Sequence, residues 1–442
     1  MRGRLPLLKD LPVEVAVLAS IAFFVALGFG IVVPSIPIFA ESFGVSALAA
    51  SAVVAAFALM RFVSSPFAGG WTNRFGERRV LAAGLAIVAV SSALAGLSQS
   101  YVQLLVLRGV GGIGSSMFTV SAMALLLRVV DADQRGRASA AWQGGFLFGG
   151  VAGPAVGGIV LAVSIRAPFF FYAGTLAVAT FVALFFLSPA RIAAREKAVE
   201  SHETSGGILA DPPETSDPRP DDAHTANEEP TPQGGWPELH SALRQASYRA
   251  ALAVNMATGL ATFGLRSAII PLFVVEGLRQ GPSLSGWAFL VAAGVQAAFL
   301  LPAGRITDTR GRRPSMMIGT VATVIGMAML IFDDLATGSL NVAIWVFFAA
   351  MAVLGLGTAF LGSAPTAVVG DIMGGRRGGI VVATYQMVSD LGAVIGPLLG
   401  GLMLDLYGFD WAFALGAVVA GIALLFVLRM PETLRRTAQP TP

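Results

Sequence analysis

Apolar residues along the chain are grouped into long runs, which short polar segments separate. A helix that crosses the hydrocarbon core of a bilayer needs roughly 17 to 25 mostly apolar residues. Runs of this length lie near residues 13–39, 46–67, 80–99, 102–127, 139–163, 167–188, 249–275, 284–303, 315–332, 341–366, 380–404 and 412–429. The pattern predicts an all-α membrane protein with twelve transmembrane helices, which we number as spans 1 to 12.

Composition agrees with this class and removes several kinds of chemistry. Of 442 residues, 55% are hydrophobic and only 12% are charged, which is well below the charge content of soluble domains. The absence of cysteine excludes disulfides, thiolate metal sites and cysteine nucleophiles. All histidines, His202, His224 and His240, lie in one polar segment, so no span carries a Ser–His dyad or a histidine metal site. We therefore expect that the protein is not an enzyme and binds no metal.

The charged residues alternate between the two sides of the predicted bundle. Arginines such as Arg74, Arg128 and Arg310 fall in connections on one side, whereas Glu276 and Asp405 fall on the other. Basic loops stay in the cytoplasm, so the net charge of +3 reflects topology and not a nucleic-acid partner. We expect a multi-pass protein of the plasma membrane whose termini and central loop are all cytoplasmic.

A long polar segment divides the chain into two parts. Residues 190–248 contain DPPETSDPRPDDAHTANEEPTPQGG, and such proline, acidic and small polar residues cannot bury a core. The segment is expected to be a largely disordered cytoplasmic linker, although a regulatory or partner-binding loop is an alternative. It separates an N-terminal six-helix bundle, residues 1–189, from a C-terminal six-helix bundle, residues 249–442.

Spans 5 and 11 share a glycine-rich motif. GGVAGPAVGG in span 5 becomes GAVIGPLLGG in span 11, displaced by 243 positions (392 − 149). Glycines four apart share a helix face that a neighbouring backbone can approach, and the proline bends the helix. The pattern indicates either plain small-residue packing or a smooth surface on which the halves rock. The motif residues are Gly149, Gly153, Pro154, Gly157, Gly158, Gly392, Gly396, Pro397, Gly400 and Gly401.

A second duplicated motif follows spans 2 and 8, where GGWTNRFGERR and GRITDTRGRR lie 235 positions apart (304 − 69). Positive-inside anchoring explains the arginines but not the acid at Asp308. Duplicated halves with a binding site at their seam are typical of a transporter. The candidate gating residues are Gly69, Asn73, Arg74, Gly76, Arg78, Gly304, Asp308, Gly311, Arg312 and Arg313.

Both pairs of motifs resemble those of the major facilitator superfamily, specifically its twelve-span drug:proton antiporter branch. The resemblance covers essentially the whole chain apart from the linker. It implies two pseudo-symmetric six-helix bundles around one site near the midplane, lined by spans 1, 4, 7 and 10. It also implies that the motif of span 5 discourages leak and favours exchange.

The same resemblance gives roles to two charged residues. Asp308 corresponds to a carboxylate that reaches a helix amino terminus in the opposite half and latches the cytoplasmic face. The first copy has the uncharged Asn73 at this place, and the second has Thr309 where a basic residue is expected, so the sequence does not decide which loop is the main gate. Arg108 in span 4 matches an arginine linked to proton coupling, with a static ion pair as the alternative.

Asp390 is the one carboxylate that the sequence places well inside a span, about 15 Å from the start of span 11 at about 1.5 Å per residue. Burial disfavours the charged form of a carboxylate, whereas a nearby arginine favours it, so a carboxylate under both influences can bind and release a proton. Its counterpart in span 5 is Leu147, and Arg61 in span 2 corresponds to Gln296, so both charges lie outside the duplication. Asp390 is therefore the main proton-coupling candidate, and a permanent pair with an arginine is the alternative.

Polar residues that can line a substrate cavity are few. Phenylalanine-rich and methionine-rich walls suit adaptable binding of apolar molecules. Arg266 in span 7 can meet an anionic substrate group, neutralise an acid or reach the outer headgroups. The cavity candidates are Arg266, Asn255, Gln143 and Gln386.

No cofactor is expected, because the chain lacks a G-x-x-x-x-G-K-[ST] loop and its energy must come from a gradient. Together with the family resemblance, the sequence predicts a monomer that exports small, largely hydrophobic organic compounds in exchange for protons. Its expected partners are the small-molecule substrate, protons and the lipid bilayer. One alternative is a proton symporter that imports a small organic anion, and another is a non-transporting membrane sensor that signals through the linker.

Overall fold

The computed structural model describes residues 12–130, 134–188, 236–331, 340–373 and 379–434. Within these residues, twelve helices are long and apolar enough to cross a membrane. They are Val13–Glu41, Ala47–Phe75, Glu77–Gly96, Tyr101–Arg128, Arg137–Val163, Ala167–Phe186, Ala246–Gly277, Ser283–Thr309, Arg312–Ile331, Leu340–Met373, Ile380–Tyr407 and Phe409–Arg429. The predicted all-α fold with twelve spans is confirmed.

The predicted linker lies mostly outside the described residues, which resume at Trp236. From there a short helix, Trp236–Arg244, precedes span 7 and buries Leu239 and Ala242 in a cluster with residues of spans 7 and 11. Span 7 itself begins at Ala246, before the apolar run at 249, because the polar residues at its start continue the helix. The end of the segment that was expected to be linker is therefore helical.

Each duplicated loop contains a glycine with a backbone conformation that other residues rarely adopt. Gly76 after span 2 has φ 85°, and Gly311 after span 8 has φ 128°. A side chain at a positive φ is sterically disfavoured, so glycine permits the sharp turn. The turns let span 3 begin at Glu77 and span 9 at Arg312, directly after the glycines.

The two halves have largely separate cores. Spans 1 to 6 share one cluster of buried residues, which includes Leu18, Leu104 and Phe169. Spans 7 to 12 fill their half with other clusters, one of them built around Phe347 and Phe413. The sequence duplication thus corresponds to two bundles that meet along a seam.

Glycines of the motif in span 5 bring helices together within and between the halves. A Cβ on Gly149 would collide with the carbonyl oxygen of Phe23 in span 1, so only glycine permits this approach. Gly158, at the other end of the motif, instead lies against Gly286 of span 8 in the opposite half. The corresponding glycines of span 11 pack in the same way against spans 7 and 2.

Span 7 is not a regular α-helix. A π-helical segment, Gly259–Leu265, precedes the α-helical turns Arg266–Leu272, and a second π-helical segment, Phe273–Gly277, follows them. Such segments are rare and commonly mark functional positions in a helix.

A comparison with span 1 explains the first π-helical segment. Gly153 of the motif in span 5 meets Leu27 and Gly30 of span 1, whereas its counterpart in span 11, Gly396, meets Leu260 and Gly264 of span 7. These partners are three positions apart in span 1 (30 − 27) and four apart in span 7 (264 − 260). Span 7 therefore carries one additional residue at this point, and the wider π-helical turn accommodates it.

Candidate functional site at the seam of the two halves

A cavity of about 420 Å³ lies between the two halves. Spans 1, 2, 4, 5 and 6 form one side of its described lining, and spans 7 and 8 form the other. The expected contributions of spans 1, 4 and 7 are present, for example through Phe29, Phe118 and Thr262. Span 10 was also expected, but the described lining contains no residue of it, and Phe289 of span 8 lies there instead.

Aromatic rings form most of the cavity's apolar wall. The ring centroids of Phe29 and Phe57 are 6.2 Å apart, and those of Phe29 and Tyr172 are 6.4 Å apart. Phe118 and Phe146 continue this surface on the other side, with their centroids 6.4 Å apart. The expected phenylalanine-rich wall is present, whereas the described lining contains no methionine. Such a surface suits a largely apolar guest molecule.

Arg61 and Asp390 form an ion pair across the seam. The Arg61 guanidinium of span 2 donates a hydrogen bond to the Asp390 carboxylate of span 11, and Arg61 also lines the cavity. Relative exposure of the two side chains is 37% and 28%, so neither is fully buried. The pair therefore joins the halves beside the cavity, which it reaches through Arg61.

Arg266 is the second arginine of the cavity. It follows the π-helical segment of span 7, and its guanidinium carbon lies 5.7 Å from the ring centroid of Phe289. Its buried Nε has no hydrogen-bond partner. Thr262, Ser267 and Gln296 are the polar residues that line the same side of the cavity. Unlike Arg61, Arg266 makes no ion pair with a carboxylate of the described residues.

The two ends of the bundle differ in charge. We call the end with Arg74, Arg128 and Arg312 the basic end, and the end with Glu41 and Asp405 the acidic end. At the acidic end, the Asp405 carboxylate of span 11 accepts hydrogen bonds from the backbone amides of Ala47 at 2.9 Å and Leu48 at 3.0 Å. These amides begin span 2, where a helix terminus attracts an anion. Together with the Gly158–Gly286 contact, this cap closes the seam at the acidic end.

At the basic end, the duplicated loops make their described polar contacts within their own halves. Asp308 pairs with Arg312 at 2.7 Å, and Arg312 also pairs with Asp371 at 3.1 Å. In the first half, Glu77 pairs with Arg128 at 2.7 Å. The Asp308 side chain is 72% exposed, so in this conformation it is directed to its own loop and to solvent. The latch to the opposite half stays a prediction for another conformation.

A family comparison decides how this architecture is classified. The model of the Major Facilitator Superfamily matches residues 18–265 and 251–442, which together include both halves and the cavity. The chain belongs to this superfamily. It is therefore a transporter of small molecules and not an enzyme.

Curated relatives of this transporter are named for resistance to drugs. Multidrug resistance protein 2 of Bacillus subtilis is 23% identical over 93% of this chain and 94% of its own length. Quinolone resistance protein NorA of Staphylococcus aureus is 30% identical over 38% of this chain and 43% of its own length.

Solved structures with the same fold are more distant in sequence. An inward-facing bacterial homologue of the human lysosomal transporter Spinster has a TM-score of 0.69 and 16% identity, covering 96% of this chain and 97% of that one. A partially occluded, inward-open structure of the xylose transporter XylE from E. coli has a TM-score of 0.67 and 14% identity, covering 95% of this chain and 99% of that one. At these identities the likeness shows the fold alone.

Arg108 of the transporter lies behind the cavity wall. It is only 3% exposed, and its guanidinium carbon lies 4.5 Å from the ring centroid of Phe57. Its Nε has no hydrogen-bond partner, and no described ion pair joins it to Asp390. The two residues predicted to couple protons are therefore not in direct contact, and their joint role stays a prediction.

The cavity candidates from the sequence lie in different places. Arg266 lines the cavity, whereas Asn255, Gln143 and Gln386 are not in its lining. The Asn255 amide donates to the backbone carbonyl of Tyr385 at 2.6 Å and so joins span 7 to span 11. The side chains of Gln143 and Gln386 are exposed.

Three residues that the structure places at the cavity or the seam were absent from the candidates that the sequence provided. Arg61 and Gln296 both line the cavity, and they occupy equivalent positions in the duplicated halves (296 − 61 = 235). Their equivalent positions in the two halves were a signal that both side chains face the cavity. Asp405 had no such signal, because its partners are backbone amides, which every residue possesses.

Proposed function

We propose that the protein exports small, largely hydrophobic organic compounds in exchange for protons, by alternating access of the central cavity. The observation that carries the proposal is the Arg61–Asp390 pair, which joins the two halves at the cavity wall. The aromatic surface of the cavity and the drug-resistance names of the relatives support an apolar substrate and the outward direction.

The charge of the pair gives exchange a physical basis. When Asp390 is ionised the pair is neutral overall, and when Asp390 is protonated the pair carries the single positive charge of Arg61. Water in an empty cavity solvates that single charge, whereas an apolar guest displaces this water and makes the single charge costly. A bound guest therefore favours the neutral pair and the release of the proton. Binding of a proton and binding of a guest then favour opposite charge states of the pair, as exchange requires.

The orientation follows from the charge of the two ends. We place the basic end in the cytoplasm of the plasma membrane, because arginine-rich connections remain on that side. The closed seam at the acidic end then corresponds to a form that opens to the cytoplasm, ready to accept a compound from within the cell. Opening to the outside requires that the Asp405 cap breaks.

Flux in proteoliposomes tests the proposal. We would load vesicles with a pH-sensitive dye, impose a pH gradient and add a panel of apolar organic compounds. Exchange predicts proton movement that depends on the compound and stops when the gradient is removed. Asp390→Asn should abolish it, and Asp390→Glu, which keeps a carboxylate, should retain part of it. Wild-type proton movement in Asp390→Asn would refute the assignment of Asp390.

A second candidate function is the import of a small organic anion together with a proton. The observation that favours it is Arg266, a cation of the cavity that no described acid neutralises. Movement of compound and proton in the same direction across the vesicle membrane would select this candidate.

A further inference from the structure

The strongest unexplained feature of the cavity is the environment of Arg266. The Asp390 carboxylate, which lies beside the cavity, is already paired with Arg61. No aspartate or glutamate belongs to the described lining, so Arg266 has only the Phe289 ring and the polar groups of Thr262, Ser267 and Gln296 on its side.

An unpaired guanidinium among apolar walls is costly, and water in the cavity solvates it only while the cavity is empty. A neutral guest of purely apolar character would remove this water without replacing its hydrogen bonds. A guest with a carboxylate would instead provide two acceptor oxygens, which match the planar fork of donors on an arginine.

We propose that the substrate is an organic anion with one acidic group, a carboxylate or a sulfonate, on a largely apolar body. The acidic group binds Arg266, and the body lies against Phe29, Phe57 and Phe118. A volume of about 420 Å³ fits a molecule of this kind. This inference rests on the proposed function only in that the cavity must be the substrate site.

An anionic substrate is compatible with proton exchange because the cavity contains two arginines. The substrate neutralises Arg266, while Asp390 keeps Arg61. The loaded cavity then holds two neutral pairs and no bound proton. Were Arg61 the only cation, a substrate anion would displace Asp390 from it, and the freed carboxylate would bind a proton together with the substrate.

Binding of three matched compounds tests the proposal on the wild-type protein. We would compare 1-naphthylacetate with its neutral methyl ester and with cationic 1-naphthylethylamine, and measure how each raises the unfolding temperature of the purified protein in detergent. The carboxylate should bind at least tenfold more tightly than either analogue. Equal binding of the ester would overturn the proposal, even if the compounds were transported in exchange for protons.

Variants of Arg266 test whether this residue causes the preference for the carboxylate. Arg266→Gln should lose the preference for the carboxylate, and Arg266→Lys, which keeps the charge without the fork, should retain part of it. Arg305→Gln, on an exposed residue at the basic end of span 8, is the matched control and should bind as the wild type does. A carboxylate preference that survives in Arg266→Gln would refute the role of this residue. A preference with no associated proton movement would refute the proposed exchange and leave the anion site intact.

Discussion

Replacing the members of the Arg61–Asp390 pair singly and together should reveal how strongly it holds the two halves. Asp390→Asn leaves Arg61 without its carboxylate, and Arg61→Gln leaves Asp390 without its cation. The destabilisations of the two single variants should therefore add up to more than the destabilisation of the double variant, which leaves no unpaired charge. The difference between these effects is the interaction energy of the pair.

The exposure of the side chains sets the expected magnitude. Removing one partner of a fully buried pair costs about 3–5 kcal/mol, whereas exposed pairs contribute about 0–1 kcal/mol. Because the side chains are 37% and 28% exposed, the pair lies between these limits. We expect an interaction energy of about 1–2 kcal/mol, which corresponds to roughly 5- to 30-fold in an equilibrium constant.

Equilibrium unfolding in mixed micelles, titrated with a denaturing detergent, measures all four proteins under one condition. The reasoning fails if the double variant equals the sum of the single variants within about 0.5 kcal/mol. In vesicles, Asp390→Asn should lower flux driven by a pH gradient at least tenfold and still exchange labelled for unlabelled compound. A stable variant that loses both activities would indicate a purely structural pair.

Further predictions concern the seam and the helix contacts. Asp405→Asn should weaken the cap on span 2 and shift the equilibrium about tenfold toward forms open at the acidic end. Spin labels at the acidic ends of spans 4 and 10 should then lie farther apart, and an unchanged distance distribution would contradict the cap. Gly149→Ala should destabilise the protein by about 1–3 kcal/mol in unfolding titrations because its Cβ meets a carbonyl oxygen, whereas Gly144→Ala meets open space and should be neutral. Asp308→Ala should shift the population toward forms open at the basic end, and spin labels on the two loops of that end should report no change if the latch does not exist.

Much of the fold follows from the sequence because a bilayer imposes length and apolarity on every span. The same constraint made Asp390 conspicuous, since a lone carboxylate in a span requires a partner. The identity of that partner did not follow. Arg61, Arg108 and Arg266 were all available, and only the packing of one half on the other directs Arg61 to Asp390.

Polar side chains inside the spans were harder to interpret for a related reason. Asn255 lies within span 7, but its amide is satisfied by the backbone carbonyl of Tyr385 and not by a cavity guest. The Asp405 carboxylate likewise binds backbone amides. Backbone partners leave no trace in the residue types of a sequence, so such contacts require the positions of the helices.

The additional residue of span 7 has a consequence for how the two halves can diverge. Deleting a residue from a regular helix turns every later side chain by about 100°, because one turn takes about 3.6 residues. Deleting Ala261 should instead convert the π-helical turn into the α-helical turn that span 1 already has, and leave the faces on both sides in place. A change of one codon at this point therefore alters the length of one half while the helix on either side keeps its register, and the rearrangement stays within the segment that carries Thr262 of the cavity lining.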